Sequence, residues 1–278
     1  MCYNRRNSIC FYDPTMQEAI QTKTTMENEL HMAILHHQLT LFYQPQVDSK
    51  GSIVGLEALV RWNHPLKGLV APNDFIPIAE ETGLIIPLGQ WVFREACKQI
   101  KLWEKKFISQ MKMSVNVSVK QFQEENFYTM IAETLYDVGV SGSLLKLELT
   151  ESIIVNNVQA SIAKIEAIRS LGIGFSLDDF GTGYSSLSYL KRLPLDELKI
   201  DQSFVRDIIS DSNDAMLVRT IIDVAHNFDL HVIAEGVENE EQLSFLKESG
   251  CKMFQGYLFG KPMPHEEIER HFFSHALS

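Results

Sequence analysis

Nowhere does the sequence hold the roughly 18 consecutive apolar residues of a membrane-crossing helix. Its start, M-C-Y-N-R-R-N-S-I-C, lacks the apolar centre of a secretory signal. The expected location is the cytoplasm, with any membrane anchor of a longer parent chain lying outside this segment. Cysteine is scarce: Cys2, Cys10, Cys97 and Cys251 are scattered and form no C-x-x-C, which excludes a zinc knuckle and a disulfide framework. Cys97 and Cys251 read as buried, inert thiols. No H-E-x-x-H is present, and the pair His36-His37 reads as a solvated helix face. Basic residues are too few for a polyanion binder: 25 Lys and Arg face 36 Asp and Glu, a net charge of −11. Long nucleic acid is therefore excluded as a partner. A small anionic ligand is still allowed where a metal or a local Lys or Arg offsets the charge.

What is there suits a globular chain, 45% apolar and 278 residues long. That length accommodates a single α/β barrel, since barrels of about 250 residues are ordinary. The first 25 residues are polar and turn-rich, as in F-Y-D-P-T-M-Q-E-A, and read as a tail or linker; the domain is expected over 26–278. Strand-like runs follow near 40–47, 53–60, 112–118, 144–150, 174–179, 196–200, 231–235 and 253–258. Helical patterns lie between most of them. Val92, Ala96, Ile100, Trp103 and Phe107, for example, share one face. Repeated βα units predict a mostly parallel sheet, and eight of them predict a closed barrel. One connection departs from the pattern. Only D-S-K-G-S (48–52) joins the first two strands. A parallel crossover needs a dozen or more residues, so the first strand is expected to run antiparallel to the second.

Barrels place their chemistry at the C-terminal ends of the strands. Unexpected polar residues recur there: Glu57, with Arg61 four residues on; Asn116; Glu148, then Glu151; Asp178 and Asp179; Lys199 and Asp201; Glu235, then Glu238; and Gln255. Each alone has a structural explanation, such as a snorkelling Glu57, a backbone-bonded Asn116 or a Lys199 paired with one Asp. Seven runs in succession do not, because charged groups are rarely buried without partners. A closed barrel would gather Glu57, Glu148, Asp178, Asp179 and Glu235 at one mouth with Lys199 as the one cation.

In F-S-L-D-D-F-G-T-G-Y-S-S (175–186) an apolar run ends on two adjacent carboxylates and a small, glycine-punctuated loop. Turn capping explains an Asp after a strand, and the glycines suit tight backbone angles. The convergence of five carboxylates favours another reading. Unneutralised, they would repel and their pKa values would rise. Oxygen-only donors suit Mg²⁺ or Mn²⁺ rather than zinc. Five carboxylates exceed the needs of one ion, whereas a pair of ions would use them, with Asp178 bridging and Asp179 serving the second. Such pairs typically hydrolyse phosphate esters.

These residues resemble the EAL family of cyclic di-GMP phosphodiesterases. Glu57-Ala58-Leu59 sits within G-L-E-A-L-V-R-W, and the other matching blocks are Y-Q-P, N-V-S, E-L-T-E-S, D-D-F-G-T-G-Y-S-S, L-K-I-D, A-E-G-V-E and Q-G-Y-L-F. The blocks occur in order over roughly residues 26 to 275. The resemblance implies a modified TIM-type (β/α)8 barrel with an antiparallel first strand. It also implies hydrolysis of cyclic di-GMP to linear 5'-pGpG with two Mg²⁺ or Mn²⁺, usually in a homodimer. By position, it implies Glu57, Asn116, Glu148 and Asp178 as ligands of one metal, and Asp178, Asp179 and Glu235 as ligands of the second. Lys199 resembles the lysine that holds the attacking water. Arg61 resembles the phosphate contact. Gln44, Gln255 and Asp201 fall on the substrate side, and Glu151 and Glu238 on the side that anchors loop 179–186. Position leaves the general base open among Glu235, Asp179 and hydroxide on a metal. F-Y-D-P-T-M-Q-E-A resembles the end of a GGDEF domain, so a sensory or GGDEF unit upstream is expected. Two other readings are a catalytically silent cyclic di-GMP receptor, which none of these positions favours, and a metal-dependent lyase using Lys199, which does not account for the loop.

Overall fold

The computed structural model describes residues 14–106, 111–155, 158–181 and 190–273. After helix α1 (Pro14–Leu35), strands β1 (Leu39–Asp48) and β2 (Ile53–His64) form a hairpin, which a short strand β3 (Gly68–Val70) extends. The parallel strands follow: β4 (Lys112–Val117), β5 (Leu145–Thr150), β6 (Gly174–Phe180), β7 (Glu197–Ile200), β8 (His231–Ala234) and β9 (Met253–Gln255). Between β3 and β4 run α2 (Pro72–Thr82) and α3 (Ile85–Lys105); α4 (Val119–Gln123) and α5 (Phe127–Val138) precede β5. Then come α6 (Ser152–Val155), α7 (Val158–Arg169), α8 (Gln202–Arg206), α9 (Ser212–Asn227), α10 (Glu240–Glu248) and α11 (His265–Phe272). The strand order is β1-β9-β8-β7-β6-β5-β4-β2, and pairing of β1 with β2 closes the ring. The result is the expected α/β barrel.

β1 runs antiparallel to both of its neighbours, as the short connection required. The turn is tight because Asp48 caps it: its Oδ1 accepts from the backbone of Lys50 at 2.8 Å and of Ser52 at 2.9 Å. Gly51 supplies the left-handed residue, at φ +81°. Four sequence expectations differ in detail from the structure. β2 continues to His64 and pairs with β3, a three-residue strand too short to register as a run. The last strand stops at Gln255, because Gly256 and the residues after it leave the sheet. His36 and His37 are exposed but follow the end of α1, with His37 in the left-handed region at φ +57°. α1 itself begins at Pro14, within the stretch read as a tail.

The core lies between the barrel wall and its helices. Val92, Ala96, Ile100 and Trp103 of α3 are buried as their periodicity predicts; Phe107 lies outside the described residues. Trp103 packs edge-on against Tyr43 of β1 at 5.2 Å between ring centroids. Its indole N–H donates to Glu269 of α11 at 3.0 Å, so one side chain joins three elements. Cys97 and Cys251 are buried and free, and burial pushes both thiols up to about 12, which leaves them protonated and unreactive. Cys2 and Cys10 lie outside the described residues.

Candidate active site

Side chains alternate along a strand, so positions two apart share the barrel's inner face. Lys199 of β7 lies on that face and is 1% exposed. Its ammonium is 2.6 Å from Glu148 of β5, 2.5 Å from Glu235 just beyond β8, and 3.5 Å from both Glu57 of β2 and Asp178 of β6. Five strands thus deliver one cation and four carboxylates to a single point. Asn116 of β4 donates to Glu57 at 2.6 Å, and Gln255 of β9 donates to Glu57 at 2.5 Å and to Gln44 of β1 at 3.0 Å. The seven strand-end positions singled out in the sequence therefore meet.

The adjacent aspartates both reach the site because β6 is irregular there. From Leu177 to Phe180 the strand takes three steps while β7 takes two, from Leu198 to Ile200. The extra residue is a bulge, and Asp179 occupies the left-handed region at φ +54°. Its amide donates to Asp178 at 3.0 Å, and both aspartates line one groove. A regular strand would have sent them to opposite faces.

Burial sets the electrostatics. Glu235 is pushed up to about 8 by burial and by Asp178 and Glu57, with Lys199 opposing. Burial, with repulsion from Glu57, Asp178 and Glu235, also raises Glu148 well above the ordinary range, against the pull of Lys199. Burial would raise Glu57 too, but Lys199 and hydrogen bonds from Gln255 and Asn116 outweigh it and hold its carboxyl low. Asp179 is raised to about 6 by burial, by Asp178 and by a hydrogen-bonded Asp201. Burial opposes the charge on Lys199, yet the four surrounding carboxylates keep it firmly protonated.

Among the described residues, no three or more His, Cys, Asp or Glu side chains already stand at metal-binding separations. The carboxylates are instead drawn onto Lys199. The donor set still fits a hard cation. Every donor is an oxygen or an amide whose oxygen a terminal rotation would present. Glu148 Oε1 is buried with no hydrogen-bond partner among the described residues, an acceptor lone pair left for a cation or a donor.

The remaining predicted residues ring this centre. Asp201 caps α8 by accepting from Ser203 N at 3.0 Å. Glu151 accepts from Gly181 N at 3.0 Å, at the start of the aspartate loop; residues 182–186 of that loop lie outside the described residues. Glu238 is exposed and lines the cavity above Lys199. Arg61 stands apart: its guanidinium lies over Phe42 at 5.6 Å and donates to Val60 O at 2.9 Å, and burial lowers its pKa. The sequence reading missed a second polar layer below the mouth. Gln46, Lys146, Ser176 and Glu197 are buried two residues before or after the site positions on their strands. The period of two on each strand was the signal for them.

A family model of the EAL domain matches residues 27–262. The chain belongs to the EAL domain family. It is 42% identical over 264 residues to MucR of Pseudomonas aeruginosa, a bifunctional diguanylate cyclase/cyclic di-GMP phosphodiesterase, covering 95% of this chain and 38% of MucR. It is 40% identical over 265 residues to the cyclic di-GMP phosphodiesterase PdeR of Escherichia coli, covering 95% of this chain and 40% of PdeR. The chain thus spans about two fifths of the length of these curated relatives. Among solved structures, the EAL barrel resembles the PaMucR phosphodiesterase in complex with c-di-GMP, with TM-score 0.85 and 43% identity over 88% of this chain and 99% of that one.

Proposed function

We propose that this EAL domain is a metal-dependent phosphodiesterase that hydrolyses cyclic di-GMP to linear 5'-pGpG. The observation that carries the reading is the packing of Glu57, Glu148, Asp178 and Glu235 about one buried lysine at the barrel mouth. The relatives named as cyclic di-GMP phosphodiesterases support the substrate class. Glu57, Asn116, Glu148 and Asp178 would hold one Mg²⁺ or Mn²⁺, and Asp178, Asp179 and Glu235 a second. Bound there, the ions would polarise the phosphoryl oxygens and acidify a water.

The chain's own groups do the rest. Lys199 donates N–H to the attacking water and holds it near the phosphorus. Glu235, 2.5 Å from Lys199, is placed to take up that water's proton once a bound cation holds its carboxyl ionised. Asp179, raised to about 6, is the competing base. Arg61 supplies a permanent positive charge for a phosphate. Gln44, Gln255 and Asp201 offer amide and carboxylate edges to the ligand. A cavity of about 320 Å³ over Lys199 and a groove of about 570 Å³ beside it share Asp178, which leaves room for an elongated dinucleotide on both sides of the reacting centre. Glu151 and Glu238 would hold the loop after Asp179.

We place the domain at 26–278 and assign residues 1–25 to the connection with an upstream sensory or GGDEF unit, in a cytoplasmic homodimer. The partial coverage of MucR and PdeR supports a longer parent chain. Among the described residues no helix is long and apolar enough to cross a membrane.

The test is chromatography of cyclic di-GMP incubated with the protein in Mg²⁺, in EDTA, and with Asp178→Asn. We expect pGpG only in the first arm, with the variant folded and inactive. Product in EDTA, or near-normal turnover by Asp178→Asn, sinks the metal reading. Tight binding with no turnover in any arm makes the domain a receptor.

A further inference from the structure

Four buried side-chain nitrogen or oxygen atoms lack a hydrogen-bond partner among the described residues, and three of them form one row. Glu148 of β5 pairs in register with Ser176 of β6, and Ser176 pairs in register with Glu197 of β7. The orphans are Glu148 Oε1, Ser176 Oγ and Glu197 Oε1, on residues that are each 1% exposed or less. All three side chains point into the barrel. Glu148 reaches Lys199, Ser176 lies two residues before Asp178, and Glu197 lies two before Lys199. The other oxygen of Glu197 accepts from Lys146 at 2.6 Å, in an ion pair that is itself nearly sealed from solvent.

These atoms do not satisfy one another: none has a hydrogen-bond partner among the described residues, while Lys199 and Lys146 donate to the other oxygen of Glu148 and Glu197 respectively. Two carboxylate oxygens are both acceptors, and the serine hydroxyl has a single proton to give. Leaving a buried acceptor unpaired costs about 1–3 kcal/mol, more for a charged one. One water balances the set: its two protons go to Glu148 Oε1 and Glu197 Oε1, and its lone pair accepts from Ser176. Three polar partners are what a buried water usually has.

We propose that one buried water, held by Glu148 Oε1, Ser176 Oγ and Glu197 Oε1, ties the Lys146–Glu197 pair to Glu148 and fixes that carboxylate's orientation. Ser176, Glu197 and Lys146 are thereby positioning residues, acting from beneath a group that rests, for its role, on the metal-dependent reading above. The inner polar layer is then a support for the site rather than leftover polarity in the barrel.

Two measurements test this. A high-resolution crystal structure of the metal-free protein should show a water within hydrogen-bond reach of all three oxygens. A titration with MnCl₂, read from the EPR signal of free Mn²⁺, should show Ser176→Ala binding about tenfold more weakly, as loss of a ligand's hydrogen-bonded support typically does. Its thermal midpoint should hold, and kcat should fall with little change in KM. The double variant Lys146→Met with Glu197→Leu removes both charges together, so no lone charge is left buried. It should weaken Mn²⁺ binding likewise. No water at the three oxygens, or Mn²⁺ binding unchanged in both variants, overturns the proposal. If the parent binds Mn²⁺ but does not hydrolyse cyclic di-GMP, the proposed function fails and this inference stands. If the parent binds no Mn²⁺, the metal reading fails and the crystallographic water alone decides.

Discussion

Replacing Lys199 with methionine leaves four carboxylates, those of Glu57 and Glu148 buried and those of Asp178 and Glu235 half-buried, without their shared cation. Removing one partner of a buried charged set costs about 3–5 kcal/mol. We therefore expect Lys199→Met to lose about that much stability in EDTA, measured by urea unfolding, and to recover a large part of it at saturating Mg²⁺. The same crowding gives a pH dependence. Glu235 is raised from its ordinary 4.5 to about 8, so the native state binds a proton that the unfolded state has released over that range. Its contribution is fully present below 4.5 and is lost as pH rises to about 8. In EDTA the thermal midpoint should fall across this window, and Glu235→Gln should flatten the fall. A midpoint that climbs over the same range, with no change in the variant, would contradict the crowding. Individual site residues were legible because a charge near the end of an apolar run has few structural excuses. The left-handed turn at Asp179 was not, because nothing in D-D-F-G says which residue carries the bulge.

At the scale of elements, the β8 and β9 ends are locked through Gly256. Val237 N donates to Gln255 O at 3.1 Å and Leu258 N donates to Val237 O at 3.0 Å, so the two chains cross with Gly256 between them. A β-carbon at Gly256 would run into the backbone of Val237. Gly256→Ala should cost about 1–3 kcal/mol as an overpacking change. It should lower turnover further than that loss implies, because Gln255 would be displaced from Glu57; urea unfolding and initial rates together check this. Element existence was readable where a run was long and bounded by turn residues, as at 112–118 and 174–179. It failed at G-L-V, three residues that pair only because β2 extends beneath them, and at 256–258, where an apolar run continues after the backbone has left the sheet. Pairing and crossing are properties of two segments, and neither segment carries them alone.

For the whole molecule, a cation that binds only the native state stabilises it by mass action, by about 2.7 kcal/mol at 100 times Kd. Mg²⁺ should therefore raise the thermal midpoint, and Asp178→Asn should blunt the rise; an unchanged midpoint at saturating metal would mean the carboxylates do not accept the ion. The closed barrel itself followed from counting strands and one short connection, since a five-residue link leaves β1 no parallel option. That reversal also decides where the chain comes in. Because β1 runs against the other strands, its first residue, Leu39, faces Trp62 at the catalytic rim, while Asp48 lies at the far end. α1 arrives at that rim and is pinned there, with Glu29 held by His64 at 3.2 Å and Lys67 at 3.0 Å. A domain fused ahead of α1 would grip the barrel by its working end. A twist delivered along that helix would land first on the strand that carries Glu57, with no need to travel through the body of the protein.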